Sequence, residues 1–279
     1  MGFPVTDEIW EMSYFWKKDQ GFTMKLKLFL ILGGIFLGAG CGQNSDTGDV
    51  GTTEDPSETM VARVEIAMDS GGRPADDKAI DANRKPVEIL AFMGIEEGMS
   101  VLDVTAGGGY YTELLSAAVG PDGTVYMQNN QASVQRNETA IEARLAGGRL
   151  ANVERIDRGL AELGMDGQID VAFAILTFHD QYNFQGREGA TGFLSAIHAA
   201  LKPGGILAFI DHAGMADQDN TALHRIEQSI AEELISQAGF IIEANSDLLS
   251  NSNDSHTLGI RDPSIRRQTD RFVIRARKQ

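Results

Sequence analysis

The sequence predicts an α/β protein with a mostly parallel β-sheet that is covered by helices on both faces. From Thr59 onward, segments with the hydrophobic spacing of helices alternate with short apolar runs that are typical of buried strands. Parallel strands joined by helices need helical cover on both faces of the sheet. The part of the chain from Thr59 to Gln279 is long enough for one such domain with a substantial core.

The composition of the 279 residues is that of a globular protein. Hydrophobic residues make up 42% and charged residues 23%, which excludes a disordered or collagen-like chain. The formal net charge of −16 argues against nucleic acid as the main partner, because phosphate binding requires clustered lysine and arginine. A single cysteine excludes an intramolecular disulfide.

Seven segments have the apolar character and the length of strands. They are residues 100–104, 124–128, 152–156, 170–176, 206–210, 240–244 and 271–276. The first of them leads directly into a glycine-rich loop, residues 105–109. The sequences Gly-Pro-Asp-Gly at 120–123 and Lys-Pro-Gly-Gly at 202–205 predict turns before the second and fifth strands, because glycine and proline favour turn conformations.

Six segments have the hydrophobic spacing of helices. They are residues 59–68, 76–93, 110–119, 132–146, 189–201 and 221–238. Pro86 lies inside the second of these and predicts a break or a kink there. The basic residues at 266–278 surround the last strand, and we interpret them as a solvated sheet edge rather than a nucleic-acid surface.

The front of the chain has the layout of a signal peptide over residues 24–40. A basic start is followed by an uncharged apolar run, 28–40, that is shorter than a membrane-spanning helix requires, and then by Cys41. This layout resembles a bacterial lipoprotein leader, in which the cysteine is lipidated. Leu37 stands four residues before the cysteine, where the leader usually has a leucine three before it.

The resemblance implies an exported lipoprotein that faces the periplasm or the cell exterior and is attached to a membrane through lipidated Cys41. An uncleaved N-terminal anchor and a buried apolar segment are the alternatives, and without a working leader the protein would be cytoplasmic. Residues 1–23 are interpreted as an upstream extension, with translation beginning at Met24. A genuine short extension is the alternative.

Residues 41–58 are predicted to form an acidic flexible linker. This segment has no basic residue, is rich in glycine, serine and threonine, and contains little that could enter a core. Its acidic residues are Asp46, Asp49, Glu54, Asp55 and Glu58. The predicted domain organisation is therefore 1–23, 24–40, 41–58 and a folded domain at 59–279.

The most informative segment is 101–112, with the sequence Val-Leu-Asp-Val-Thr-Ala-Gly-Gly-Gly-Tyr-Tyr-Thr. Glycines between a strand and a helix let the backbone approach a ligand closely and place amides near the helix N-terminus. A dinucleotide fingerprint requires Gly or Ala three residues after Gly109, where Thr112 stands instead. A P-loop would require Gly-Lys-Ser/Thr, which this segment lacks.

With its neighbours, this segment resembles the first motif of class I S-adenosylmethionine-dependent methyltransferases, an acid at the strand end followed by Gly-x-Gly-x-Gly. Asp103 is the acid, Gly107 and Gly109 stand at the second and third glycine positions, and Thr105 replaces the first. Further similarity, to an uncharacterised branch of predicted bacterial methyltransferases, covers roughly 60–279. It rests on residues 84–94, 178–180, 246–249 and 269–272, whereas Leu-Lys-Pro-Gly-Gly at 201–205, before an apolar strand, is a frequent feature of methyltransferases in general.

The resemblance implies a doubly wound Rossmann-like sheet of seven strands in the order 3-2-1-4-5-7-6, with an antiparallel last strand. It also implies S-adenosylmethionine as the cofactor, bound where the carboxyl ends of the strands meet. The implied cofactor-binding residues are Asp103, Thr105, Gly107, Gly109, Asn129, Asn130, Asp157 and Thr177. The second strand usually ends in an acid that binds the ribose. Here the amides of Asn129 and Asn130 stand in its place, without the gain of a charged acceptor.

His179 and Asp180 are the predicted catalytic pair, because they follow the fourth strand on the side where the transferred methyl group would point. A histidine beside a carboxylate can act as a general base near neutral pH. Asp211 and His212, after the fifth strand, are a second candidate pair, and a structural role is the alternative for both pairs. No spacing such as His-Glu-x-x-His suggests a metal site.

The predicted function is methyl transfer from S-adenosylmethionine to an unknown, small-molecule acceptor. The alternative is a degenerate methyltransferase fold that serves as a ligand-binding lipoprotein. The leader favours this alternative, because S-adenosylmethionine is made in the cytosol, and so do the amides at the end of the second strand. A nicotinamide-dependent oxidoreductase is disfavoured by Thr112 and by the same amides.

Overall fold

The structure is a computed structural model that describes residues 56–279, and its centre is one seven-stranded sheet in the order β3-β2-β1-β4-β5-β7-β6. The strands are β1 (Ser100–Val104), β2 (Thr124–Gln128), β3 (Val153–Ile156), β4 (Ile169–Ile175), β5 (Leu201–His212), β6 (Phe240–Ser246) and β7 (Arg271–Lys278). The first five strands pair in parallel, and β7 runs antiparallel between β5 and β6. The predicted α/β class, strand order and antiparallel last strand are confirmed. The interpretation of residues 266–278 as a solvated sheet edge is wrong, because β7 pairs with a strand on each side and lies inside the sheet.

Nine α-helices accompany the sheet within residues 56–279. They are α1 (Pro56–Asp69), α2 (Ala75–Lys78), α3 (Asp81–Arg84), α4 (Pro86–Met93), α5 (Tyr110–Val119), α6 (Gln131–Leu145), α7 (Phe178–Ala200), α8 (Asn220–Leu223) and α9 (Gln228–Gln237). One core lies between the sheet and α7 and α9, and a second core lies between the other face and α1, α4 and α5. This arrangement agrees with the predicted helical cover on both faces.

The alternation of side chains along β1 decides which core each residue enters. Leu102 and Val104 join the core beneath α7 and α9, whereas Val101 joins the core beneath α1, α4 and α5. Since side chains alternate between the faces of a strand, Asp103 points to the same side as Val101, towards α5. Asp103 therefore contacts the first turn of α5, where its carboxylate accepts a hydrogen bond from Thr112.

Two of the predicted helices are divided in the structure. The segment predicted as one helix over 76–93 forms α2, α3 and α4, because Lys85 adopts a left-handed conformation (φ 43°) just before Pro86 begins α4. The break expected at Pro86 is confirmed, with the proline in the first helical turn, where it needs no amide partner. The helix predicted over 221–238 is divided into α8 and α9 around His224 (φ 55°).

Two other boundaries also differ from the prediction. The helix expected at 189–201 begins at Phe178 and bends at Gly186, whose φ of 69° and ψ of −172° interrupt the helical path. The turn expected at 202–205 is a bulge inside β5, since Ile169 pairs with Leu201 while Val171 pairs with Ile206. The glycines and the proline at 202–205 correctly indicated an irregular backbone. Because residues on both sides of it pair with β4, the irregularity is a bulge within the strand rather than a turn before it.

The predicted upstream extension (1–23), signal peptide (24–40) and most of the linker (41–58) lie outside the described residues. The described chain begins inside the linker with α1, whose first residue is Pro56. Within 56–279, no helix is both long enough and apolar enough to cross a membrane.

Candidate active site

A cavity of about 790 Å³ opens at the carboxyl ends of β1 and β4, beside the glycine loop 105–109. Its walls come from this loop, from α6, from the segment of α2 and α3, and from residues 175–177 after β4. The volume lies in the range of small-molecule sites, and open α/β sheets bind their ligands at this edge. The cavity is therefore the candidate active site.

The glycine loop is held in shape from behind by the residues that end β2. The amide of Gly107 donates a hydrogen bond to Oδ1 of Asn129 (2.9 Å), and Nδ2 of Asn129 donates to the carbonyl of Gly107 (3.1 Å). The amide of Thr105 donates to Oε1 of Gln128 (2.9 Å), whose Nε2 in turn donates to the carbonyl of Arg158 (2.7 Å). The protein itself thus satisfies two loop amides that, from the sequence, were candidates to bind a ligand.

The two asparagines expected to bind the ribose have different positions. Asn129 is 1% exposed and its amide is directed to the loop, where its Oδ1 also accepts a hydrogen bond from Ser133 Oγ (2.6 Å). Asn130 is exposed and is the N-cap of α6, accepting from the amide of Ser133 (2.8 Å). Asn129 is therefore placed as a clamp for the loop, and a ribose contact from either residue stays a prediction.

Asp103 lies buried below the glycine loop and lines the cavity. Its Oδ2 accepts a hydrogen bond from the hydroxyl of Thr112 in α5 (2.6 Å). Burial raises the pKa of Asp103 to about 6, against the opposing effects of the Thr112 hydrogen bonds and of the charges of Arg84 and Arg144. Thr112, the residue that departs from a dinucleotide fingerprint, is thus the partner that fixes this acid.

Gly109 ends the loop at a point where no side chain fits. Its φ is 83°, and a β-carbon there would lie 2.8 Å from both Arg144 Cδ and Met127 Cε. The buried guanidinium of Arg144 donates to the carbonyl of Gly108 and pairs with Glu113 on α5 and, at 2.6 Å, with Asp77 on α2. One arginine therefore joins the glycine loop to two helices that border the cavity.

Arg84, at the end of α3, supplies a positive charge to the cavity wall. Its guanidinium lies 4.3 Å from the centroid of the Tyr110 ring and 5.6 Å from that of Tyr111, distances that suit cation–π contacts. Among residues 56–279, the Arg84 side chain forms no hydrogen bond or ion pair, whereas neighbouring Arg73 is paired with Asp81 (2.5 and 2.6 Å). Arg84 is thus available to an anionic group in the cavity.

Thr177 lines the cavity on the opposite side, immediately after β4. Its Oγ1 is buried and has no hydrogen-bond partner in the described part of the chain. Burial of an unpaired hydroxyl is unfavourable, and Thr177 also lines the cavity, so this hydroxyl is a candidate ligand contact. The predicted cofactor-binding residues Asp103, Thr105, Gly107 and Thr177 all meet at this cavity.

Asp157 does not reach this cavity. It forms a hydrogen-bonded ion pair with Arg155 (Nε to Oδ1 2.9 Å, Nε to Oδ2 2.8 Å) and lines a separate cavity of about 400 Å³. The expectation that Asp157 converges with the glycine loop on one crevice is therefore not met in this structure. Its contact with the adenine stays a prediction.

His179 is fixed by the buried carboxylate of Asp211. Its Nδ1 lies 2.6 Å from Asp211 Oδ1, and its backbone amide donates to Asp211 Oδ2 (2.8 Å). Burial favours a lower pKa for His179, but Asp211 and Asp180 outweigh it and raise the pKa to about 10. At neutral pH the imidazole then carries a proton, which must leave before Nε2 can act as the predicted general base.

Asp180, the second predicted catalytic residue, lies between two imidazoles. Its Oδ1 is 3.2 Å from His179 Nε2 and 2.8 Å from Nδ1 of His224, a residue that the sequence did not single out. Burial would raise the pKa of Asp180, but both histidines lower it to about 2. His224 reaches this position because its left-handed backbone ends α8. No sequence signal marks that break.

His212, from the second candidate pair, forms its side-chain hydrogen bond with Thr269 rather than with Asp180 or Asp211. Its Nδ1 lies 2.7 Å from the hydroxyl of Thr269, and burial lowers the pKa of His212 to about 3. Its ring also packs edge-on against that of His179, with 5.4 Å between the centroids. His212 therefore supports the position of His179, while Asp211 is the member of this pair that bonds to it.

A second cavity, of about 780 Å³, lies between α1 and the residues that precede β2 and β3. These residues are at the amino ends of the strands, the edge opposite to the glycine loop. Ligands of open parallel sheets bind at the carboxyl ends. The cavity beside the glycine loop is therefore favoured as the active site.

Comparison with known proteins identifies similar sequences and folds. The model of the protein-L-isoaspartate(D-aspartate) O-methyltransferase family matches residues 67–154, which include β1, the glycine loop and β2. A comparison with curated proteins finds no match.

Several solved methyltransferase structures are similar to the chain at low sequence identity. An S-adenosylmethionine-dependent methyltransferase from Aquifex aeolicus is 21% identical, with a TM-score of 0.54 over 78% of this chain and 98% of the other. A candidate sarcosine dimethylglycine methyltransferase from Galdieria sulphuraria is 15% identical, with a TM-score of 0.53 over 73% and 86%. A candidate methyltransferase in complex with the Haloferax volcanii Trm112 methyltransferase activator is 15% identical, with a TM-score of 0.51 over 77% and 96%.

These similarities establish the fold. The chain has the Rossmann-like fold of class I S-adenosylmethionine-dependent methyltransferases, with the seven strands in the order described above. The cavity beside the glycine loop lies where this fold places a ligand, at the carboxyl ends of the strands.

Proposed function

We propose that the chain is an S-adenosylmethionine-dependent methyltransferase that acts on a small-molecule acceptor. The observation that carries this proposal is the set of groups in the cavity beside the glycine loop. An unpaired cation, a buried acid and an unpaired hydroxyl belong to Arg84, Asp103 and Thr177, and these three residues line one cavity of suitable volume.

The charges in the cavity fit the amino-acid part of S-adenosylmethionine. Its carboxylate would pair with Arg84, and its ammonium group would pair with Asp103. Both interactions are charge-assisted, and they are strong in a partly buried site. Arg84 and Asp103 line the same cavity, and we propose that one bound zwitterion contacts both.

The adenosyl part would lie over the glycine loop, where Gly107 (φ 57°) offers backbone without a side chain. The unpaired Oγ1 of Thr177 would bind a polar group of the ligand on the β4 side. Asn130 is proposed as a ribose contact, because it is exposed and follows Asn129, whose side chain bonds to the backbone of Gly107 in the loop.

The chemistry is an in-line displacement. The acceptor atom attacks the methyl carbon as the bond from that carbon to sulfur breaks, and S-adenosylhomocysteine is the second product. Alignment of the two reactants in a closed site supplies much of the rate gain in such a reaction. We place the acceptor at the carboxyl ends of β4 and β5, beside His179 and Asp180.

The family match does not identify the acceptor. The matched residues, 67–154, end before β4 and β5, which would form the acceptor side. The match therefore supports cofactor binding and leaves isoaspartyl carboxylates as one class of acceptor to assay.

Native mass spectrometry of the purified chain tests the proposal. We expect an adduct with the mass of added S-adenosylmethionine or S-adenosylhomocysteine, and a weaker adduct in Thr177→Val, which removes the unpaired hydroxyl. A matched control is Thr257→Val, since this hydroxyl bonds only to exposed Ser255 (2.8 Å). Retention of a chemically different small molecule, with no adenosyl adduct, would favour the degenerate binding module instead.

We also propose that the protein is attached to a membrane through a lipid on Cys41, on the strength of the leader-like sequence at 24–40. Detergent phase partitioning of the protein expressed in bacteria should place it in the detergent phase, and Cys41→Ser should move it to the aqueous phase. Equal partitioning of the two proteins would contradict lipidation.

A further inference from the structure

We infer that His179, Asp180 and His224 form a binding site for a divalent transition-metal ion. One ligand atom from each of the three residues lies within 4.8 Å of the others. The residues come from the start of α7 and from the break after α8, so only the folded chain brings them together.

The distances in this cluster suit coordination. Oδ1 of Asp180 is 3.2 Å from His179 Nε2 and 2.8 Å from His224 Nδ1. Nitrogen and oxygen ligands that lie 2.0–2.2 Å from one zinc ion in a tetrahedral site are separated from each other by roughly 3.4 Å. A cation can therefore enter among the three atoms with small side-chain movements.

Asp211 orients the first imidazole for this role. It is 0% exposed and lies 2.6 Å from Nδ1 of His179, which leaves Nε2 as the nitrogen that faces Asp180 and His224. Histidines that bind metals commonly donate their other ring N–H to a carboxylate in this way. The backbone amide of His179 donates to the same carboxylate (2.8 Å), so the residue is fixed at two points.

The backbone at His224 is also consistent with a functional position. Its φ of 55° is uncommon for a residue other than glycine, and such conformations cluster at functional sites. The next residue, Arg225, is fully buried and bonded to the carbonyl of Ala213 (2.9 Å) and to Asp254, which holds the segment in place. The fold therefore keeps the imidazole of His224 beside Asp180.

The ligand set and its exposure indicate the kind of metal. Two imidazoles and one carboxylate suit Zn²⁺, Fe²⁺ or Co²⁺ rather than Mg²⁺ or Ca²⁺, which prefer oxygen ligands throughout. The side chains of Asp180 and His224 are 44% and 24% exposed, so the ion could be reached from solvent and could keep an open coordination position. Three protein ligands and one open position are the arrangement of catalytic rather than structural zinc sites.

The ordinary alternative is a hydrogen-bonded network in which protonated imidazoles surround Asp180. Both arrangements place the same atoms at these distances, and metal titration separates them. We propose titration of the purified, tag-free full chain with Zn²⁺ against a chromophoric chelator, and with Co²⁺ by its visible spectrum. One equivalent of each should bind in the micromolar range or tighter, whereas Mg²⁺ should not compete.

Variants locate the bound ion. We expect His224→Ala to weaken Zn²⁺ binding about a hundredfold or more, and Asp211→Asn, which alters a positioning residue, to weaken it about 10–100-fold. His256→Ala is the matched control, because His256 also pairs with an aspartate (Asp270, 2.9 Å) but lies outside the cluster. If His224→Ala does not fold, Asp180→Asn serves the same purpose.

Absence of a tight equivalent in the wild-type chain would overturn the inference, as would unchanged affinity in both His224→Ala and Asp180→Asn. S-adenosylmethionine binding, measured by calorimetry on the same samples, separates this inference from the proposed function. A wild-type chain that binds S-adenosylmethionine but no metal ion would refute only the metal site. Metal binding without ligand binding would refute only the methyltransferase.

Discussion

The side-chain amide of Asn129 forms two hydrogen bonds with Gly107, accepting from its amide (2.9 Å) and donating to its carbonyl (3.1 Å). This pairing ties the end of β2 to the glycine loop that follows β1. A carboxylate in the same place could accept from the loop amide but could not donate to the carbonyl. The asparagine, which departs from the usual acid of the resembled family, therefore has a structural reason in this chain.

We expect Asn129→Ala to lower both stability and affinity for S-adenosylmethionine. The Gly107 amide would lose its partner in a partly buried position, at a cost of about 1–3 kcal/mol. Asp219→Ala is the matched control, since it removes the N-cap of α8, worth about 1 kcal/mol, and leaves the loop clamp intact. Thermal unfolding and calorimetry would measure the two effects. Unchanged affinity in Asn129→Ala would contradict the role of the clamp.

Arg84 is expected to recognise a carboxylate. Arg84→Gln should weaken S-adenosylmethionine binding by about 1.5–3 kcal/mol, the value of a hydrogen bond to a charged group, or roughly 10–100-fold. 5′-Methylthioadenosine has no carboxylate and should bind to both proteins equally. Arg187→Gln, which removes an exposed partner of Glu233, is the control. Equal losses for the two ligands would show that Arg84 supports the fold rather than the carboxylate.

The affinity for S-adenosylmethionine should depend on pH through Asp103. Because burial raises the pKa of Asp103 to about 6, the acid is mostly protonated at pH 5 and mostly ionised at pH 7. If the ionised form binds the ammonium group, affinity should rise about tenfold between these pH values. Asp103→Asn should remove the rise. Calorimetry across this pH range measures the affinity. The same dependence of affinity on pH in Asp103→Asn would show that Asp103 is not its cause.

The raised pKa of Asp103 also makes the stability of the ligand-free protein depend on pH. The folded pKa lies above the usual 3.8, so the folded chain favours protonated Asp103. Its stabilising contribution is complete below about pH 4 and is lost as the pH rises through about 6. Above pH 6, Asp103→Asn should therefore be less destabilising than at pH 4.

Gly109→Ala is expected to be strongly destabilising. The left-handed backbone costs about 1–2 kcal/mol for any side chain, and the new methyl group would meet Arg144 and Met127 at 2.8 Å, which adds about 1–3 kcal/mol. Gly164→Ala has a similar φ (63°) but no atom within 4 Å, and should show the backbone cost alone. Denaturant unfolding would compare them, and equal losses would show that the contacts of Gly109 do not matter.

The fold could be predicted from the sequence because local signals and long-range pairing agree in most of it. The strand at Ser100–Val104, its glycine loop and α5 lie where the pattern placed them, since glycines separate two clearly apolar segments. The strand order followed from the resemblance rather than from periodicity. Sheet order is set by non-local pairing, which a hydrophobic pattern does not encode.

The candidate site was only partly predictable. Asp103, Thr105, Gly107 and Thr177 share one cavity because all lie at or just beyond the carboxyl ends of parallel strands. His224 could not be found, since the segment 221–238 has continuous helical spacing and the break depends on the burial of Arg225. Arg84 belonged to a recognised segment, but its position over Tyr110 depends on the left-handed turn at Lys85.

Isothermal titration calorimetry of the purified chain with S-adenosylmethionine at pH 7 tests the central proposal most directly. We expect saturable heat with one site per chain, together with a loss of affinity in Arg84→Gln. No heat at millimolar ligand, from a sample shown to be folded, would mean that the cavity beside the glycine loop does not hold an adenosyl sulfonium compound.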